Sequence, residues 1–417
     1  MDTPAQAAVE RDTQFGLKGE MVAVAKERYG NTHIEGGDHQ LLEGLAQRLL
    51  KLIPQQRPDE ADAPLEVPAR LYTDPAIFAR EKETIFSKVP VVAGLSKDIP
   101  NPGDFITVEH LDTPVVVTRT KNGEVKAFVN ACRHRGAALV YESRGNSKGF
   151  TCPYHGWTYS QEGALTGIAC AASFGQVDKN QMGLVPVPVE ERHGLIFLSP
   201  RADQPLDLDK HLGAELSRQL GLWHFDQVSA ARSEPVVLEG NWKLVYETFL
   251  ETYHFAAAHK NNLINFYHNN SNTVDRFGDH IRISVASRGL EKHYAETPEG
   301  QRDPFQHVLV AYILFPGMVL INSAQVLEVF RIFPKSVDRT VVEHSCYSRL
   351  PADMQGADQM FEMIWQSAHN IVMNEDFPFG VTTAQKGLAS GGLKGLVLGR
   401  NELAMHINHE VIRSYTG

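Results

Sequence analysis

Two groups of residues in this chain have the types and spacing to hold metal. In the first, Cys132-Arg-His134 is followed after seventeen residues by Cys152-Pro-Tyr-His155. Each short segment offers one thiolate and one imidazole, so two sulfurs and two nitrogens can converge from paired loops. A zinc site would accept such a set, but structural zinc fingers usually pair Cys with Cys and His with His. The mixed order suits a two-iron cluster in which one iron takes both cysteines and the other both histidines. Neutral imidazoles in place of two thiolates raise its reduction potential. Gly136 and Gly156 stand beside the ligands and are expected to let backbone amides approach the sulfurs.

The second group lies in "ETFLETYH", residues 247–254, which carries Glu247, Glu251, Tyr253 and His254, with His259 five positions further on. Two histidines and one carboxylate, with coordination positions left open, form the ligand set of non-haem Fe(II) oxygenases. On an uninterrupted helix residues five apart point about 140° away from each other. The pair therefore converges only where the helix bends or ends; otherwise it is polar surface or capping. Cys170 and Cys346 have no ligand-spaced neighbours and read as small buried residues.

Several elements must position these groups. Around the Cys/His loops, "PVVVTRT", "KAFVN" and "GLIFLSP" read as short strands, separated by turns at "KNGE", "RGNSKG" and "QEGA". This is the pattern of a small antiparallel β-domain. "NWKLVYETFLETYHF" reads as a helix with Trp242, Val245, Phe249 and Tyr253 on one side. Strand-like runs follow at "HIRISVAS", "HVLVAYILF", "MVLINS", "VLEVFRIFP" and "VVEHSCYSRL", then a long helix over about 355–376 and a closing helix. Strands followed by helices imply an α+β domain in which an antiparallel sheet grips a C-terminal helix. Leu41, Leu42, Leu45, Leu49 and Leu50 recur at helical spacing ahead of a Pro- and acid-rich connector. The expected divisions are a helical arm over 1–66, the β-domain with its lead-in over 67–200, and the α+β domain over 201–417.

The 417 residues carry 50 acidic and 40 basic side chains, a net charge of −10, with no basic stripe, which argues against nucleic acid as a partner. No apolar run is long enough to span a membrane, and the polar N-terminus lacks the apolar segment of a secretory signal. Four cysteines do not make a disulfide framework. The expected location is the cytoplasm.

"CRHRGA" with "CPYHGWTY" resembles a Rieske [2Fe–2S] domain, and "NWKLVYETFLETYHFAAAHK" resembles the iron-binding segment of ring-hydroxylating oxygenase α subunits. Together, from about residue 73 onward, the chain resembles the α subunit of a Rieske non-haem iron oxygenase. The resemblance implies one [2Fe–2S] cluster on Cys132, His134, Cys152 and His155, and one mononuclear Fe(II) per chain. It also implies a helix-grip (START/SRPBCC-like) catalytic domain. His254 and His259 carry over as iron ligands. "NEDFPFGVTTAQKGL" resembles the family's acid and Gln-Lys/Arg-Gly signature, with Gln385 nine residues past Asp376. That makes Asp376 the third ligand and Glu375 the fallback.

Glu251 stands where many members have Asp, at the carboxylate that meets a Rieske histidine of the neighbouring subunit, here the partner subunit's His155. Glu247 is an acid typical of the family with no derived role, and Thr248 replaces a common Asn. A homotrimer is implied, fed by an NAD(P)H-dependent reductase directly or through a ferredoxin. The chain itself has no Gly-x-Gly-x-x-Gly dinucleotide fingerprint.

The expected chemistry is hydroxylation or demethylation of a hydrophobic, aromatic substrate, as in aromatic hydrocarbon catabolism. Its pocket is expected to draw on Val308, Val310, Tyr312, Leu314, Met318, Leu320 and Phe330, with Asn322, Ser323 and Gln325 as polar contacts. The second reading is a quaternary ammonium monooxygenase with Tyr246 and Tyr253 in an aromatic cage. The third, from another class, is an electron-transfer module without oxygenase activity.

Overall fold

The computed structural model describes residues 38–110, 113–229, 231–351 and 353–417; the first part of the expected arm lies outside them. The framework of the C-terminal half is one antiparallel sheet of seven strands. In chain order these are β1 (Ala231–Leu238), β2 (Tyr267–Phe277), β3 (His280–Ser287), β4 (Val308–Leu314), β5 (Met318–Asn322), β6 (Val326–Ser336) and β7 (Arg339–Ser348). Their spatial order is β1-β7-β6-β5-β4-β3-β2.

Strand alternation divides two cores between the faces of this sheet. On one face Val308, Val310, Tyr312, Leu314, Met318 and Leu320 meet α1 (Asp38–Leu52) and α2 (Leu208–Gly221). On the other, Ile283, Ala311, Ile313, Val319, Phe330 and Val342 meet α3 (Trp242–Glu247) and the C-terminal helix. The arm is thus a docking helix. Leu42, Leu45, Ala46 and Leu49 of α1 are buried against the sheet, and each of the three leucines contributes about 1.5–3 kcal/mol.

The lead-in to the β-domain packs on this body too. Leu65–Pro68 pairs antiparallel with Gly395–Leu398, and Tyr72, Phe78, Ile85 and Phe86 enter the same core as α3. The β-domain proper holds a four-stranded antiparallel sheet (Asp104–His110, Thr113–Arg119, Val125–Val129, Arg144–Asn146) and a three-stranded one (Gly149–Thr151, Thr158–Ser160, Leu165–Gly167).

The iron-segment helix is shorter than its periodicity predicts. α3 stops at Glu247, and the chain makes one further helical turn, α4 (Phe255–Ala258). The predicted long helix also changes character: α5 (Ala357–Ile371) continues as a π-helix over Val372–Thr383, and α6 (Leu403–Thr416) closes the chain. Among the described residues no helix is long and apolar enough to cross a membrane.

Candidate metal centres

The two Cys/His segments fold into matching turns. Cys132 C=O accepts from Gly136 N–H at 2.8 Å and Cys152 C=O accepts from Gly156 N–H at 2.9 Å. Both glycines have positive φ, +76° and +71°, which closes each turn at no steric cost. Their own amides thus close the turns on the cysteine carbonyls. Both cysteines are buried and free. Tyr159 Oη lies 3.4 Å from Cys132 Sγ and accepts from Arg133 N–H at 3.0 Å, leaving its own proton for the sulfur. His134 and His155 meet edge to face with ring centroids 4.6 Å apart, and His134 stacks on Trp157. His134 Nδ1 is buried without a hydrogen-bond partner among the described residues. A buried nitrogen in that condition fits a metal ligand.

The second centre is built where α3 gives way to α4. His254 is the N-cap of α4 and His259 its C-cap, so one helical turn brings the two rings to a centroid distance of 4.9 Å. The π-helix supplies the acids. Asp376 Oδ1 lies 3.1 Å from His259 Nε2 and 3.3 Å from His254 Nε2. One ligand atom from each of the three residues lies within 4.8 Å of the others. Glu375, the fallback ligand, instead contacts the far nitrogen of His259, Nδ1, at 2.6 Å, and accepts from Asn262 Nδ2 at 2.7 Å. π-helical turns are wider than α-turns and are frequent at functional sites; here one lets adjacent carboxylates reach both edges of one imidazole.

Glu251 bonds His254 twice, through its ring Nδ1 and through its backbone N–H at 3.0 Å. Burial alone would raise the Asp376 pKa, but the hydrogen bonds from His254 and His259 hold it below the usual carboxylate range.

Supporting contacts explain residues that had no reading. Glu247 is buried and accepts from Tyr72 Oη at 2.9 Å, with His409 Nε2 also at 2.9 Å. It clasps α3 between the lead-in and α6. Asn241 caps α3 by accepting from Lys243 N–H, while its own N–H donates to Gln385 Oε1 at 3.0 Å. Thr248 Oγ1 donates to Leu244 C=O at 2.9 Å, a bond local to the helix end.

Other expectations fail. Tyr253 is 60% exposed and does not join Trp242 and Val245 on one helix side, because the helix has already ended. Tyr246 is fully buried in the core and offers no cage face. Val308, Val310, Tyr312, Leu314, Met318 and Leu320 pack on the sheet face opposite the metal residues. Of the expected pocket set only Phe330 stands on the metal side, against Phe249 at 4.5 Å. Asn322 turns to Arg349 and Ser323 to Val326. Cys170, expected to be buried, is exposed at a positive φ of 54°, whereas Cys346 is buried as expected. Sequence reasoning passed over Glu328, whose signal was a single acid inside the apolar run of β6.

The family model described as "Ring hydroxylating alpha subunit (catalytic domain)" matches residues 225–417, and "Rieske [2Fe-2S] domain" matches residues 89–185. The chain belongs to the Rieske oxygenase α subunits. In this family the two domains carry a [2Fe–2S] cluster and a mononuclear iron, and the buried thiols, the unpartnered His134 Nδ1 and the His/His/Asp set fit them.

The glycine betaine monooxygenase oxygenase subunit of Chromohalobacter salexigens is 38% identical over 194 residues, 46% of this chain and 43% of that protein. Biphenyl 2,3-dioxygenase subunit alpha of Rhodococcus jostii is 37% identical over 196 residues, 45% of this chain and 42% of that one. The aligned part thus spans under half the length of these relatives. A quaternary ammonium Rieske monooxygenase structure superposes with a TM-score of 0.71 at 22% identity, covering 86% of this chain and 96% of that one. For naphthalene 1,2-dioxygenase with bound indole the values are 0.61, 20%, 84% and 92%. At such identities these structures establish the fold alone.

Proposed function

We propose that this α subunit is the terminal oxygenase of a multicomponent system, using O2 to hydroxylate or demethylate a small organic molecule. Its electrons come from a separate NAD(P)H-dependent reductase, directly or through a ferredoxin. The observation that carries this reading is the convergence of His254, His259 and Asp376 within 4.8 Å in a chain that also holds the paired Cys/His turns. With iron bound, such centres supply oxygen activation at the His/His/carboxylate set and one-electron delivery at the cluster.

The protein's own groups divide the remaining work. His254, His259 and Asp376 hold the mononuclear metal, and Cys132, His134, Cys152 and His155 hold the cluster. Glu375 and Glu251 fix the tautomers and orientations of the two iron-binding imidazoles. Glu251 is also the contact to the partner subunit's His155 in a homotrimer. Exposed aromatic residues at both ends support such an interface: Tyr154 beside His155, and Tyr253 and Phe379 beside the iron ligands.

The names of the relatives divide between aromatic substrates such as biphenyl and a quaternary ammonium compound, glycine betaine. The second is favoured by Glu328, a carboxylate on the metal side of the sheet. Iron analysis tests the main reading: three irons per chain are expected, falling to two in His254→Ala with the cluster spectrum intact. Two irons in the unaltered protein, with a full cluster, would identify an electron carrier instead.

A further inference from the structure

Glu328 is the one acid in the stretch Val326-Leu327-Glu328-Val329-Phe330. Its alternation places it on the same sheet face as Phe330. Its neighbours across the strands are Ile321 on β5 and Cys346 on β7, and along its own strand Val326 and Phe330. All four are apolar. The carboxylate is 19% exposed, and its one ion-pair contact among the described residues is His344 Nε2, at 3.5 Å. A carboxylate drawn out of water among apolar groups destabilises the protein unless a cation or donors meet it. No Lys or Arg of the described chain pairs with it.

The surrounding face is not fully covered. Leu309, Ile321 and Tyr267 are only half-buried, although Leu309 and Ile321 lie on inner strands of the sheet. Tyr267 brings an aromatic ring; burial, followed by the nearby charge of Glu328, pushes its phenol up to about 12. Packed rings link this face to the metal centre. Phe330 packs on Phe249 of the iron segment, and Phe249 meets Phe377, the residue after Asp376.

We infer that Glu328 is the charge-selecting residue of the substrate pocket, and that the preferred substrate carries an ammonium group. A quaternary ammonium satisfies both features, since its methyl groups suit the apolar walls and Tyr267 while its charge pairs with the acid. A neutral aromatic ring would leave the carboxylate stripped of water and unpaired. This inference rests on the oxygenase reading, but its test reads binding alone.

Calorimetry on the iron-loaded protein without O2 compares choline with its uncharged tert-butyl isostere. Choline is expected to bind roughly tenfold to a hundredfold tighter, from combined ion pairing and cation–π attraction. Glu328→Gln is expected to lose most of that preference, keeping only the part Tyr267 supplies, because choline loses its ion pair. An unaltered protein that does not favour the cation overturns the inference, and so does a Glu328→Gln protein that keeps the full preference. An iron count of two per chain would refute the oxygenase reading separately, without touching this comparison.

Discussion

Glu375 and Asp376 are consecutive acids that meet opposite nitrogens of His259, at 2.6 Å and 3.1 Å, and this geometry ranks their contributions to metal binding. With Asp376 beside Nε2, the proposed ligation runs through Nε2 and leaves the ring proton on Nδ1, where Glu375 accepts it. A hydrogen bond to a charged acceptor contributes about 1.5–3 kcal/mol, which corresponds to roughly tenfold to a hundredfold in an equilibrium constant. The loss of outer partners of metal-binding histidines costs about the same range in affinity.

Glu375→Gln retains shape and an acceptor but loses charge, so iron should bind about tenfold more weakly. Glu375→Ala also leaves the Asn262 amide without its 2.7 Å partner and should approach a hundredfold. Asp376→Ala removes a ligand and should empty the site. Chelator competition for the mononuclear iron measures all three, with Rieske absorption in the same sample reporting intact protein. A Glu375→Ala protein that loses its iron while Asp376→Ala retains it would reverse the two roles and refute the tautomer argument.

Glu251→Gln should keep both metals bound but slow cluster reoxidation by O2 severely in single-turnover experiments; undiminished turnover would remove Glu251 from the coupling role. Glu81→Ala should destabilise the protein by about 3–5 kcal/mol. It strands the Lys243 ammonium, 1% exposed and 2.6 Å from Glu81, and the Trp242 indole N–H. Urea unfolding measures this, and a change under about 1 kcal/mol would show the pair to be solvated. In the iron-free protein, burial pulls the His254 pKa down, but Asp376 and Glu251 outweigh it and hold it at about 10, above the ordinary 6.5. Its stabilising contribution is complete below 6.5 and lost as pH rises through about 10. Iron must displace that proton, so affinity should rise about tenfold per pH unit between roughly 7 and 9; a flat profile measured by chelator competition would contradict this.

The central strands were legible because their apolar residues are dense: His280–Ser287 is the stretch read from the sequence. The strand Tyr267–Phe277 was not. "YHNNSNTVDRF" is asparagine-rich and sits at the sheet edge with an irregular register between Tyr267 and Asn272. Strand propensity is low for such residues, and tertiary pairing decides the outcome. The helix end at Glu247 was hidden for a related reason. Apolar spacing continues through Phe249 and Tyr253, while the chain leaves the helix to bring His254 into line with His259. Convergence of ligands overrode periodicity there, and the five-residue spacing was the visible trace of it.

The sheet's two faces mark the limit of what alternation conveys. Residues 308 to 320 show that β4 and β5 are buried on both sides, so period two separates the faces without saying which one meets the metal. Long-range partners decide it: α1, from the arm, covers the face of Val310 and Tyr312, and α3 covers that of Ala311 and Ile313. With that orientation fixed, Glu328 gains its meaning. On the arm side it would be a buried charge facing leucines, and on the metal side it shares a face with Phe330, which packs on Phe249 of the iron segment. A chemical reading of β6 therefore depended on a helix nearly three hundred residues earlier in the chain.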